Sequence, residues 1–147
     1  MKIPHDAWVL VLDGEKFLLL RNQGDEDIMD LRIIDHEEVV NPPTRSQGTD
    51  RPGRMPDDGP GMMSAMNETD WHALEKERFA DDMADRLRKW AMENRFERIV
   101  VVADPRSLGE LRKEYHQTVR DRIAAEIDKD LTNMPVDRIE AVLRGAD

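Results

Sequence analysis

Gly48-Thr49-Asp50-Arg51-Pro52-Gly53-Arg54 sets two arginines on either side of a Pro-Gly pair. A turn at that pair would aim both guanidinium groups to one side, and arginine suits a bidentate grip on phosphate or carboxylate. Asp50 could orient one of them, or simply close an Asx-turn in a solvated corner. Arg45 lies just upstream. From Pro43 to Met55 there are thus three arginines against one acid, and the stretch is locally basic. Arg45, Thr49, Asp50, Arg51, Gly53 and Arg54 form the first candidate binding set. The second is Ala103-Asp104-Pro105-Arg106-Ser107, where a buried apolar run meets a helix-start signal. In open α/β sheets ligands gather outside the carboxyl ends of strands, and a helix N-terminus offers free N–H groups to an anion. Asp104 and Arg106 are the binding candidates there. Equally, Ser107 is a helix cap and Asp104 a turn residue. The third is Gly61-Met62-Met63-Ser64-Ala65-Met66, whose adaptable thioethers suit a partner surface or the chain's own core.

Other chemistry finds little support. The chain has no cysteine, which excludes disulfides, thiolate metal sites and a thiol nucleophile. His5, His36, His72 and His116 are scattered without metal-ligand spacing, so neither a metal nor a cofactor is expected. No G-x-S-x-G elbow is present, and nothing points to a catalytic triad. Asp13, at the end of the first apolar run, could be the first carboxylate of a ribonuclease-H-type metal site, but a hairpin-turn residue is the simpler reading. The balance leans away from an enzyme.

The elements that must hold these residues can be read from period and punctuation. Ala7–Leu12 is a continuous apolar run, the mark of a strand covered on both faces. Asp13-Gly14 is a tight-hairpin dipeptide whose residues tolerate positive φ. Lys16–Arg21 would return, Gly24–Asp27 would turn, and Ile28–Val40 would carry a third strand, completing an antiparallel meander. Asn41 to Glu68 is dense in proline and glycine and reads as one long loop. Loops of that size inside a compact domain are uncommon and usually functional or disordered.

Beyond the loop, Thr69 or Asp70 can cap a long helix. Phe79, Met83, Leu87 and Trp90 form its apolar stripe, which Trp71 and Leu74 extend, and its end falls near Asn94. Arg98–Ala103 reads as a buried, central strand ended by Asp104-Pro105. A short helix follows around Leu108–Glu114. Val119, Ile123 and Ile127, four apart, predict another helix that gives way to a strand within Glu126–Leu131. Thr132-Asn133-Met134-Pro135 opens a last helix with Val136, Ile139 and Leu143 inward and Gly145 near its end. The order implies a single α/β domain over residues 1–147, with helices packed on a mixed sheet.

At 147 residues one core is attainable, and charged residues make up 37% of a chain of net charge −10. That balance opposes nonspecific nucleic-acid binding by the whole surface, though not by the locally basic segment. The acids concentrate elsewhere, as at Asp25–Asp30 and Asp81–Asp85. No apolar run is long enough to span a membrane, and the N-terminal one breaks at Asp13, too short for a secretory signal. The expected location is cytoplasmic.

The runs NPPTRSQGTDRPGR, ERFADDMADRLRKW, RIVVVADPRSLGELR and EIDKDLTNMPVDRIEAVL resemble the bacterial host attachment proteins, described as required for attachment to host cells. The resemblance covers essentially the whole chain. That family is similar in turn to the middle domain of eukaryotic and archaeal translation release factors and of Pelota-type rescue factors, with a ribonuclease-H-like fold. The shared pattern is strands, a long loop, a long helix with an Arg-Phe pair (here Arg78-Phe79), then a buried strand. In release factors the loop carries Gly-Gly-Gln, whose glutamine enters the peptidyl-transferase centre. This sequence has Gln47-Gly48 and Gly59-Pro60-Gly61 but no Gly-Gly-Gln. Its length also leaves no room for stop-codon-reading and partner-binding domains. The resemblance implies a non-enzymatic binding or adaptor protein with an indirect role in host attachment, meeting a protein partner through the basic loop. The alternative is a ribosome- or RNA-associated release- or rescue-like factor.

Overall fold

Trp8–Leu12, the first strand (β1), is buried at every position, so both faces of the sheet are covered. A computed structural model describes residues 1–38 and 68–146, and for residues 68–77 the backbone alone. Strands β2 (Lys16–Asn22) and β3 (Leu31–Glu38) complete the antiparallel meander. Strand β4 (Ile99–Ala103) pairs parallel with β1, and β5 (Ile123–Asp128) parallel with β4. The mixed sheet therefore runs β3-β2-β1-β4-β5, with β4 in its interior.

Helix α1 (Glu68–Met92) lies on one face with α2 (Pro105–Glu114) and the single turn α3 (Gln117–Arg120). Phe79, Met83 and Leu87, one helical turn apart, meet Leu10, Leu12, Phe17 and Leu19 from the sheet. Full burial of a side chain such as Leu87 contributes about 1.5–3 kcal/mol. Trp90 is half-buried and meets Trp8 edge-on, with ring centroids 5.6 Å apart. Arg86 ties the helix to the sheet, donating to Glu37 Oε1 at 2.7 Å while its guanidinium lies over Phe17. On the opposite face, Ile139 and Leu143 of α4 (Val136–Gly145) and Ile3 of the N-terminal segment cover Val9, Val11, Val100 and Val102.

Helix α1 ends in a left-handed cap. Asn94 has φ 58°, its N–H reaches Ala91 O, and Arg95 N–H reaches Trp90 O, the paired bonds of a Schellman turn. A second anchor is Asn22, wholly buried at the end of β2. Its amide nitrogen donates to Ile3 O at 2.8 Å, with Pro4 O and Asp25 O at 3.3 Å; its oxygen accepts from Gly24 N and Asp30 N. One side chain thus holds the N-terminal segment and the β2–β3 turn together. In that turn a Cβ on Gly24 would lie 2.0 Å from Ile28 O, which is why glycine stands there.

Several boundaries differ from the sequence reading. Asp13 is not at a positive-φ turn centre. It closes the hairpin as its first corner, with Asp13 N–H donating to Lys16 O and its carboxylate accepting from Glu15 N and Lys16 N. Thr69 and Asp70 already lie inside α1, and α2 starts at Pro105. The expected helix through Val119, Ile123 and Ile127 shrinks to four residues, and both isoleucines belong to β5. The spacing of four that suggested one helix face is broken in the strand by a bulge after Ile123, so Ile123 packs on the α1 face of the sheet and Ile127 on the opposite one. Strand β3 starts only at Leu31, and beyond it nearly every side chain is exposed. It is an edge strand, blunted by charges at Arg32, Asp35, Glu37 and Glu38 and by a register shift opposite Leu19/Leu20.

Candidate functional site at the carboxyl edge of the sheet

Strands β1, β3, β4 and β5 point the same way, so four strands end on one edge. Helix α1 runs back against them: Phe79 sits beside Phe17 near that edge, and Trp90 beside Trp8 at the other end. The chain therefore leaves β3 at this edge, and α1 approaches from the same side. The segment between them contains Arg45, Thr49, Asp50, Arg51, Gly53 and Arg54. These six residues lie outside the described residues, as do Val39-Val40, the expected loop from Asn41 to Asn67 with the Gly61–Met66 cluster, and the side chains of Trp71 and Leu74.

Asp104 and Arg106 stand on this edge. Asp104 is the N-cap of α2, its Oδ2 accepting from Ser107 N at 3.2 Å, with Pro105 opening the helix behind it. Ser107 itself is buried inside the first turn. The second oxygen, Asp104 Oδ1, is buried with no hydrogen-bond partner. Arg106 is exposed. The expected turn role for Asp104 is thus present, while the cap expected of Ser107 belongs to Asp104.

Asp13 leaves the neighbouring strand end, since Leu12 is in register with Ala103. Its Oδ1 takes the two backbone N–H groups of the hairpin, and its Oδ2 lies 3.0 Å from Thr132 Oγ1. The same hydroxyl stands 2.7 Å from Asp130 Oδ1. A hydroxyl carries one proton, so it donates to one of these carboxylates at a time. Lys16 Nζ also bonds to Asn133 Oδ1. Thr132 and Asn133 thereby latch the loop after β5 onto the β1–β2 hairpin. The sequence reading took Thr132-Asn133-Met134-Pro135 only as a helix start; two small polar residues before the proline were the available signal for this latch.

These contacts decide what the edge can do. Asp13 Oδ1 holds the two hairpin N–H groups and Oδ2 shares the Thr132 hydroxyl with Asp130, which favours the hairpin-turn role over a ribonuclease-H-type metal ligand. Among the described residues no group of three metal-ligating side chains occurs. The latch joins the β1–β2 hairpin to the loop after β5, while the arginine-bearing segment is attached between β3 and α1. Among the described residues, no helix is long and apolar enough to cross a membrane.

The model of bacterial archaeo-eukaryotic release factor family 12 matches residues 6–143, and the chain belongs to that family. No curated protein matches the sequence.

Proposed function

We propose that this release-factor-related protein is a ribosome- or RNA-associated binding factor that meets its anionic partner through the basic segment carrying Arg45, Arg51 and Arg54. The observation that carries the reading is the family match over residues 6–143. The segment's place in the chain agrees with it, since it joins β3 to the long helix, where release-factor middle domains carry their functional loop. Thr49, Asp50 and Gly53 belong to the same segment of sequence, and Asp104 and Arg106 stand on the sheet edge from which β3 leads into it. With a formal net charge of −10, contact with phosphates has to be confined to a locally basic surface. The reading includes no peptidyl-tRNA hydrolysis, because the sequence has no Gly-Gly-Gln. Co-sedimentation with ribosomes at low salt tests it: the protein pellets with ribosomes, and binding weakens with added salt and in Arg51→Ala and Arg54→Ala. A protein that stays in the supernatant at every salt concentration refutes it.

A second reading keeps the host-attachment resemblance, carried by GTDRPGR and EIDKDLTNMPV. On it the same segment binds a protein partner in the cytoplasm, without turnover. Affinity capture separates the two readings: a ribosome-free partner lost on deleting residues 45–54 favours the adaptor, whereas ribosomal recovery favours the first.

A further inference from the structure

The far end of the sheet holds a half-open cavity of about 350 Å³, independent of the basic segment and of the reading built on it. Its cationic walls are Arg21, Arg95 and Arg98, with His5 beside them. Asp6 and Glu97 also line it, so the three guanidinium groups outnumber the carboxylates, against the strongly acidic balance of the chain. Arg21 is opposite Trp8 in the β1–β2 pair and so shares its face of the sheet. There the apolar row Phe17, Leu19 ends in a cation. Arg21 Nε is buried with no hydrogen-bond partner, and its nearest acid, Asp6 Oδ1, stands 3.7 Å away. The rest of the Arg21 side chain is partly exposed, and an anion in the cavity would supply the acceptor that Nε lacks.

The walls are fixed before any ligand arrives. Asp6 has φ 67° and is held by Asp6 N–H to Asn22 O, while Ala7 N–H reaches Pro4 O. Asn94 and Arg95 are set by the Schellman turn that ends α1. Arg122 braces that turn from behind, donating to Phe96 O at 2.6 Å and Asn94 Oδ1 at 3.1 Å. Trp8 and Phe96 stack at 4.8 Å as the floor. Among the described residues, the Arg98 side chain makes only a local contact of 3.4 Å to Glu97 O, and the Arg95 side chain only a distant one of 3.9 Å to Glu93. Both guanidinium forks can therefore turn to a ligand without breaking a strong pair. His5 Nδ1 lies 2.7 Å from Gly24 O and donates to it, which leaves Nε2 towards Asp6.

We propose that this cavity binds a terminal phosphate group, with Arg21, Arg95 and Arg98 as its ligands. Three guanidinium forks offer more donors than a carboxylate's two oxygens can use, and they match the three terminal oxygens of a phosphomonoester. Such a group is presented by a nucleoside monophosphate or by the 5′ end of an RNA.

Calorimetric titration of the full chain at low salt tests this with 5′-AMP, adenosine, and a short oligoribonucleotide with and without its 5′-phosphate. Saturable binding by either phosphorylated probe, at least about tenfold tighter than its unphosphorylated counterpart, is the expected result. Binding by AMP alone assigns a small nucleotide; binding by the phosphorylated oligonucleotide alone assigns an RNA end. Arg98→Ala and Arg95→Ala, at exposed positions that spare the core, each weaken binding about tenfold. Equal binding with and without the phosphate, no saturable binding, or full affinity in both Arg95→Ala and Arg98→Ala overturns the proposal.

Discussion

The two ends of the sheet use charge in opposite ways. At the carboxyl edge the acids are engaged in holding the chain: Asp13 fastens the hairpin and meets Thr132, and Asp104 caps α2. At the other end the arginines are underused, with Arg21 Nε unpartnered and Arg95 and Arg98 only loosely engaged around an open cavity. A charged group whose bonds are all made to its own fold is positioned to stabilise. One held in place without a partner is positioned to bind. By that measure the described part of the carboxyl edge is mainly a frame, Asp104 Oδ1 apart, and the opposite end is the one proposed to bind.

The largest effect expected from breaking this contrast comes from Asn22. Asn22→Ala strips acceptors from two backbone N–H groups and a donor from buried carbonyls, for a loss of about 3–5 kcal/mol in urea unfolding. Because Asn22 also sets the Pro4–Ala7 wall, phosphate binding in the cavity should vanish with it. Gly24→Ala acts through the same turn by overpacking, at about 1–3 kcal/mol. At the carboxyl edge the effects are smaller and additive. Asp104→Ala removes the cap and costs about 1 kcal/mol, whereas Asp104→Asn keeps an accepting oxygen and most of the stability. Thr132→Val releases the latch and costs about 0.5–1.5 kcal/mol without touching the cavity.

The contrast was only partly legible in the sequence. The meander, the buried β4 and the stripe of Phe79, Met83 and Leu87 follow from hydrophobic period, which is local and repeated. Asp104-Pro105 was readable as punctuation for the same reason. The β5 isoleucines misled because a spacing of four fits one helix face, whereas the bulge in β5 sends Ile123 and Ile127 to opposite faces of the sheet. The cavity was not readable at all: Arg21 lies far along the chain from Arg95 and Arg98, and only the pairing of β1 with both β2 and β4 brings them to one place. The Asp13–Thr132 latch was hidden likewise, since its partners come together only when β5 and the hairpin end on the same edge.

The smallest effect is a titration. Burial raises the Tyr115 phenol above its ordinary value of 10.0, and the negative charge of Glu126 adds to it. The protonated phenol therefore contributes stability that is complete below pH 10 and is lost as pH climbs towards the raised folded value. Its buried hydroxyl has at most a weak hydrogen bond to Glu126 of poor geometry, so Tyr115→Phe should lie within about 1 kcal/mol of wild type at neutral pH. Above pH 10 the variant should hold its stability better than wild type, as alkaline unfolding curves would register.

Ribosome co-sedimentation across a salt series, comparing wild type with Arg51→Ala/Arg54→Ala and with Arg95→Ala/Arg98→Ala, tests the central claim most directly. Wild type and the cavity variant should pellet with ribosomes at low salt and be released as salt rises, while the segment variant stays behind. Absence of wild type from the ribosomal pellet, or a segment variant that pellets as well as wild type, would contradict it.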